Sequence, residues 1–308
     1  MHGNCDFIVI GAGPAGCVCA GELKKRGYRV CVLEKHDPGY RKVCGDGIGY
    51  ECVKALRSVG FPAEAFARAG AVRISRYIHY IDGKMYTDRL TEHGKEAYGM
   101  GRDKTDSVFR QYLADALGVP ILFKTDGRDV RRIGGGYEVC GLKSRGIIIA
   151  AGASGRILLD GEPLTRQDSS RPVGVSGIVR ARRTEEPFFM FDYREEYKGT
   201  YSWIFSTGEG EYNVGLWLKS DRETLRAKFE LFLKTRVMEY LGGAFEWRHR
   251  PRGAVLAIGE RPKERNEAIL FAGDAANTTN PKDGEGLSMA VKDALALCGR
   301  IEQTRPIG

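Results

Sequence analysis

The sequence predicts an α/β fold in which a parallel sheet flanked by helices is interrupted by an inserted antiparallel sheet with one long helix. Three observations carry this expectation. A strand, a glycine-rich turn, a helix and a second strand open the chain in "CDFIVIGAGPAGCVCAGELKKRGYRVCVLEKH". A strand, a loop and a helix close it in "AILFAGDAANTTNPKDGEGLSMAVKDALALCGRI". Between them lie runs with the two-residue alternation of strands and short hairpin turns.

The opening unit is the most informative. "FIVI" is an apolar strand ended by Gly11, and Gly11, Gly13 and Gly16 complete G-x-G-x-x-G. Gly11 allows the tight turn, Gly13 lets backbone approach a pyrophosphate, and Gly16 lets helix pack closely on strand. Pro14 and Ala15 begin a helix whose first N–H groups and positive dipole end suit phosphates. The helix stops at Gly27, and "YRVCVLE" is a second strand ending in Glu34, with Lys35 beside it also expected to contact the cofactor. Glu34 is placed to accept both ribose hydroxyls of an adenosine. A lone glycine motif is a weak signal. Here strand, glycines, helix, strand and acid follow in the order that dinucleotide binding requires.

Bulk properties exclude other classes. The 308 residues suffice for one large or two modest domains. No run of about eighteen apolar residues suggests a membrane span, and the early start of the first strand leaves no room for a signal peptide. Eight cysteines show no CxxC pair and no zinc spacing, so reduced thiols in a cytoplasmic protein are expected. A net charge of +8 suits anionic cofactors, anionic substrates or an acidic membrane surface. The basic residues are scattered without a nucleic-acid motif, which argues against nucleic acid. His2, His36, His79, His93 and His249 have no partner readable in the sequence. The clusters "RARRTEE" and "RPKERNE" read as solvated turns, with contact to an anionic membrane as the alternative.

The closing unit resembles the second FAD signature of the flavin hydroxylase and reductase superfamily. Its strand ends in Gly273 and Asp274, and a loop with Asn280, Pro281, Gly284, Glu285 and Gly286 opens a helix from about Leu287. The resemblance implies that Asp274 bonds the ribityl chain and that the helix aims its N-terminus at the flavin. Such a dipole stabilises negative charge on a reduced ring. It also implies that Arg102, at the start of the helix in "GRDKTDSVFRQYLADALG", contacts FAD. "RGIIIAAGASGRI" reads as a late strand running into a turn that brings Ala151, Gly152 and Ser154 near the cofactor. The expected domain is therefore a Rossmann-like FAD-binding domain of the p-hydroxybenzoate-hydroxylase type. It would be assembled from 1–70, 98–160 and 258–308, with a substrate domain from 71–97 and 161–257. In the latter, "AVRISRYIHYIDGKMYTDRL" predicts a hairpin at "DGK", and "VGVSGIVRAR", "PFFMFDY" and "GTYSWIFSTGEGEYNVGLWL" predict further strands, with a hairpin at "TGEGE". "DRETLRAKFELFLKTRVMEYLG" predicts an amphipathic helix and "RGAVLAI" a strand leading back. A second G-x-G-x-x-G and a CxxxxC are both missing, which disfavours the two-dinucleotide disulfide reductases.

Three stretches resemble one branch, the geranylgeranyl reductase family. "KVCGDGIGYECVKAL" carries Cys44, Gly45, Asp46 and Gly47 at its Cys-Gly loop. "YSWIFSTGEGEYNVGLWL" carries Tyr201, Trp203, Ile204, Phe205, Asn213, Val214 and Gly215, with Ser206 where proline is usual. "FAGDAANTTNPKDGEGLSMAV" supplies the FAD loop. The resemblance implies a pocket facing the flavin, walled by the Cys-Gly loop, Tyr201, Trp203 and Phe205. Cys44 would sit near the reacting centre as proton donor or shaping residue; on its own chemistry it is equally a small buried residue in a glycine loop. Cys52 reads as core. The family's activity implies hydride transfer from reduced flavin to a carbon–carbon double bond of an isoprenoid or other apolar substrate, with NAD(P)H or a ferredoxin-like protein as reductant and a possible peripheral membrane contact. The chain ends soon after the flavin-facing helix, which raises the expectation of a smaller or more open pocket. Two rivals share the fold: an aromatic or polyketide monooxygenase using NAD(P)H and O2, and a non-catalytic flavin- or lipid-binding protein. A halogenase is disfavoured because W-x-W-x-I-P is missing.

Overall fold

The computed structural model describes residues 4–165, 171–182, 186–262, 268–282 and 284–301. Residues 183–185 of the cluster "RARRTEE" and 263–267 of "RPKERNE" lie outside the described residues.

Val, Ile and Leu dominate the strands Cys5–Ile10, Val30–Leu33, Leu142–Ile149 and Ile269–Phe271, and each is buried through most of its length. Runs that apolar form central parallel strands covered on both faces. Cys5–Ile10 lies between Leu142–Ile149 and Val30–Leu33, parallel to both. Leu142–Ile149 shares its other edge between an antiparallel neighbour, Gly136–Val139, and the parallel strand Ile269–Phe271. The last strand thus reaches the middle of the sheet from the far end of the chain. Helix Pro14–Lys25 follows the glycine turn, and Gly27 lies just past its end at φ +88°. This helix packs against helix Leu287–Arg300, where Cys19, Ala290, Val291, Ala294 and Cys298 share one core.

A second sheet has seven strands, in the order Glu246–Val255, Val173–Arg180, Glu211–Leu218, Tyr201–Gly208, Phe188–Tyr193, Arg76–Ile81, Lys84–Leu90. All pairs are antiparallel except Phe188–Tyr193 with Arg76–Ile81, which run parallel. Asp82 and Gly83 turn the hairpin at φ +46° and +81°, the left-handed pair that a two-residue connection demands. The expected strand 252–258 is displaced. It starts at Glu246, six residues earlier, and ends at Val255.

One face of this sheet is covered by the predicted amphipathic helix. Asp221 caps it by accepting the Thr224 N–H at 2.8 Å. Leu225, Phe229 and Phe232 pack on Ile204, Val214 and Leu216. The helix runs from Arg222 to Phe232, widens into a π-helical turn at Leu233–Val237, and closes at Met238–Tyr240. The other face, turned to the first sheet, is aromatic: Phe189, Tyr201, Trp203, Phe205 and Trp217. Ile204 therefore points to the helix while Trp203 and Phe205 share the opposite face, as strand alternation requires.

Candidate functional site

Four loops meet between the sheets. The first is the glycine turn. Gly11 is at φ +109°, and a Cβ there would lie 2.4 Å from the Ala150 carbonyl oxygen; one on Gly16 would lie 1.9 Å from that of Gly11. The Gly13 end of the helix has no side-chain cap, so its first N–H groups face the turn uncovered. Glu34 is buried and pins the turn: its oxygens accept the Ala12 and His36 N–H groups, each at 2.9 Å. Each oxygen retains a lone pair for a ribose hydroxyl. Arg110 braces the same turn, donating to the carbonyls of Ala12 and Pro38 at 2.9 Å. Lys35, expected to contact the cofactor, is exposed.

The second loop is 273–286. Gly273, at φ +61°, lies so close to helix Pro14–Lys25 that a Cβ would meet that of Ala15 at 2.7 Å. Burial pushes the Asp274 carboxyl up, but the Lys42 ammonium paired with it and the Thr279 hydroxyl hold it below the ordinary carboxylate range. Lys42 also borders the third loop, its Nζ 3.9 Å from the Cβ position of Gly152, beside Ala151. Helix Leu287–Arg300 starts after Gly286, again without a side-chain cap. Glu285 closes on Gly49 and bonds Ser288, whereas Pro281 is exposed at the rim. Trp217 lies against Gly284, and its buried indole N–H has no protein partner.

The fourth loop carries Cys44, Gly45, Asp46 and Gly47. Gly45 and Gly47 lie under the aromatic face: a Cβ on Gly45 would be 3.5 Å from Phe205 and from the Trp203 nitrogen, and one on Gly47 3.2 Å from Phe189. Asp46 is buried at φ +61°. One oxygen accepts the Arg102 backbone N–H at 2.9 Å; the other accepts Asn213 Nδ2 at 2.7 Å and pairs with Arg41. Asn213 also donates to the Cys44 carbonyl at 2.8 Å and accepts the Trp203 indole N–H at 2.8 Å. Its amide orientation is thus set by all three partners. Burial pushes the Asp46 carboxyl up to about 6, against the pull of Arg41, Asn213 and Arg102. Cys44 is half-buried, with Arg102 Nη1 donating to its sulfur at 3.7 Å. Arg102 is held by Asp106 at 2.7 Å and reaches within 3.9 Å of the Gly13 Cβ position. Cys52 is fully buried in the core.

Lys42, Arg110, Asn213 and Trp217 escape a reading of motifs. The partners of Lys42, Arg110 and Asn213 lie far away in sequence, and only Asn213, inside a family-like "NVG", carried a local signal. Two uncapped helix ends, an acid–lysine pair and an orphaned indole donor fit a bound FAD.

Comparison with known proteins agrees with this geometry. Residues 4–138 match the FAD binding domain family. Digeranylgeranylglycerophospholipid reductase 1 of Methanopyrus kandleri is 28% identical, over 96% of this chain and 78% of that protein. The menaquinone reductase of Mycobacterium tuberculosis is 25% identical, over 94% and 74%. The crystal structure of a geranylgeranyl bacteriochlorophyll reductase-like protein from Thermoplasma acidophilum superposes with a TM-score of 0.76 at 18% identity, covering 96% of this chain and 77% of that one. The chain is an FAD-dependent oxidoreductase that resembles the geranylgeranyl reductases. No helix among the described residues of this flavoprotein is long and apolar enough to cross a membrane.

The aromatic wall yields a prediction. A Cβ on Gly215 would sit 2.1 Å from the Trp203 ring. Gly215→Val is expected to displace the indole, break its bond to Asn213 and cost about 1–3 kcal/mol. Chemical denaturation reads the loss, and a red-shifted tryptophan emission reads the displaced ring.

Proposed function

We propose that this flavoprotein reduces carbon–carbon double bonds of an isoprenoid lipid. The observation that carries this is the Cys44–Gly47 loop, set between the FAD cradle and the face of Tyr201, Trp203 and Phe205. The names of the relatives point to the same substrate class. Gly45 and Gly47 keep the loop thin enough to pack directly under the aromatic wall. When bound and reduced, FAD supplies the hydride. Cys44 is the proton donor to the second carbon: its thiol is half-buried in the loop, with Arg102 Nη1 at 3.7 Å from the sulfur. Arg102, Asp274 and Lys42 orient the cofactor, and Glu34 holds its adenosine end. The reductant is NAD(P)H or a ferredoxin-like protein. Ile81, Met85, Tyr86 and Leu90, exposed at the sheet edge, support contact with a membrane surface from which the lipid is taken.

The test uses photoreduced enzyme without oxygen. Mixing with an isoprenoid lipid should reoxidise the flavin and give a product two hydrogens heavier. Reoxidation only on admitting air, with oxygen entering the product, would instead establish the monooxygenase. Cys44→Ala is expected to lower the reoxidation rate about 100-fold while the flavin content stays unchanged. An equal rate in the variant would remove Cys44 from the proton transfer.

A further inference from the structure

Beside the Cys44 loop, on the edge of the seven-stranded sheet, a groove of about 430 Å³ opens. Ligand pockets span about 300–1,000 Å³. Among the described residues the groove is lined by Arg41, Ser176, Arg248, His249, Arg250 and Arg252 with three small or apolar neighbours, and by no acidic side chain.

The arginines converge for a structural reason. Strand Glu246–Val255 pairs with Val173–Arg180 through two register shifts, at Ser176/Ile178 and Ile178/Val179. Gly177 permits the close approach, since a Cβ there would lie 2.6 Å from Trp247 and 2.9 Å from the His249 carbonyl oxygen. Bulges bend a strand and re-aim its side chains. Charged edge strands also discourage pairing with another chain. That purpose needs neither a concavity nor a contribution from elsewhere. Here Arg41 comes from the loop before Cys44, and Arg252 donates to its carbonyl at 2.7 Å. Ser176 donates to the Cys44 carbonyl at 3.0 Å, so the groove floor touches the candidate active-site loop.

The nearby acids leave charge over. Arg248 shares Glu211 with Arg180, at 3.3 and 2.8 Å. Arg41 is paired with Asp46 and lies 3.5 Å from Asp103. Arg250 and Arg252 have no carboxylate partner among the described residues. Planar guanidinium groups converging on one concavity match the oxygens of a phosphate, which they bind in pairs.

We propose that this groove is a phosphate-binding site, taking the phosphate or diphosphate of a ligand whose other end reaches the Cys44 loop. Two sources would supply such a group: an isoprenoid phosphate substrate, a source that rests on the reductase reading, and a nicotinamide dinucleotide reductant.

The test titrates FAD-loaded protein with inorganic pyrophosphate by calorimetry. Arg250→Ala should raise Kd about tenfold, and the double variant with Arg252→Ala further still. Binding by the intact protein should weaken with salt. Arg226→Ala, on the helix that covers the other face of the sheet, should change nothing. Melting curves and flavin spectra show that the variants fold. Pyrophosphate binding that is equal in the intact and doubly substituted proteins, or undetectable in the intact protein at millimolar concentration, overturns the proposal. Once binding depends on the arginines, kinetics identify the source. A raised KM for an isoprenyl diphosphate with kcat unchanged assigns the site to the substrate, whereas slower flavin reduction at limiting NADPH assigns it to the reductant. Because the titration needs no turnover, a protein that binds pyrophosphate through these arginines yet reduces no isoprenoid loses the reductase reading and keeps the site.

Discussion

Replacing Gly16 with valine is expected to give a folded protein that purifies without flavin. The first side-chain atom would lie 1.9 Å from the Gly11 carbonyl oxygen and 3.3 Å from the Ala150 Cβ. Neither neighbour can yield alone. Gly11 sits in a conformation at φ +109° that few other residues adopt, and Ala150 closes the strand beside it through an N–H bond to Ile10. The first turn of helix Pro14–Lys25 must therefore move away from the glycine turn. Its uncapped N–H groups then lose their aim on the pyrophosphate, while the core between this helix and Leu287–Arg300 can follow it. Phosphate binding at a helix end depends on several N–H groups acting together. A shift of about 1 Å in such an arrangement costs on the order of a hundredfold or more. The measurement is flavin absorbance per mole of protein, with reconstitution by added FAD. Stoichiometric flavin in Gly16→Val would show that the turn does not hold the cofactor as described.

The sequence made the cradle legible because its physics is local. Gly11, Gly13 and Gly16 act on neighbours a few residues away, and Asp274 lies in the turn just after a strand, Ile269–Phe271, that its apolar pattern reveals. The hairpins at Asp82–Gly83 and before Glu211 were legible for the same reason: turn chemistry is written in adjacent residues. What escaped depends on distance in sequence. The Asn213 amide meets Asp46 across 167 positions, and Lys42 meets Asp274 across 232. No periodicity encodes such meetings. The parallel pairing of Arg76–Ile81 with Phe188–Tyr193 was hidden likewise, since a strand pattern states which faces are apolar but not which strand lies alongside. The edge strand was misplaced because "EWRHRPRG" alternates poorly and contains Pro251, a residue that sheets tolerate at edges and bulges. Those departures from strand grammar are what shape the arginine groove.

Asp46→Asn is expected to cost activity and not stability. Burial raises the carboxyl from 3.8 to about 6, so the charged form is held at a net expense despite Arg41, Asn213 and the Arg102 N–H. The sign follows from linkage. A folded pKa above the unfolded value means that folding takes up a proton between about pH 4 and pH 6. The group's stabilising contribution is therefore full below pH 4 and lost as pH rises through 6, a change of about 3 kcal/mol. Asparagine removes the charge and with it this slope. It also presents one acceptor oxygen where aspartate presents two, so some of the gain is offset by donors left unmatched, at about 1 kcal/mol each. The melting temperature at pH 7 should accordingly stay level or rise. Activity should fall about 10- to 100-fold, because the Asn213 amide loses the acceptor that orients it and can no longer fix both the Cys44 carbonyl and the Trp203 indole. In the unaltered protein kcat should drop as pH falls through about 6, where Asp46 takes up its proton, and the variant should lack that limb. Melting curves and kcat profiles from pH 4 to 8 for both proteins decide the matter. A variant that melts several degrees lower at pH 7, with its acid limb intact, would make Asp46 an ordinary structural ion pair. A variant as stable as its parent but slow at every pH would mark a buried charge kept for the geometry of the reacting site.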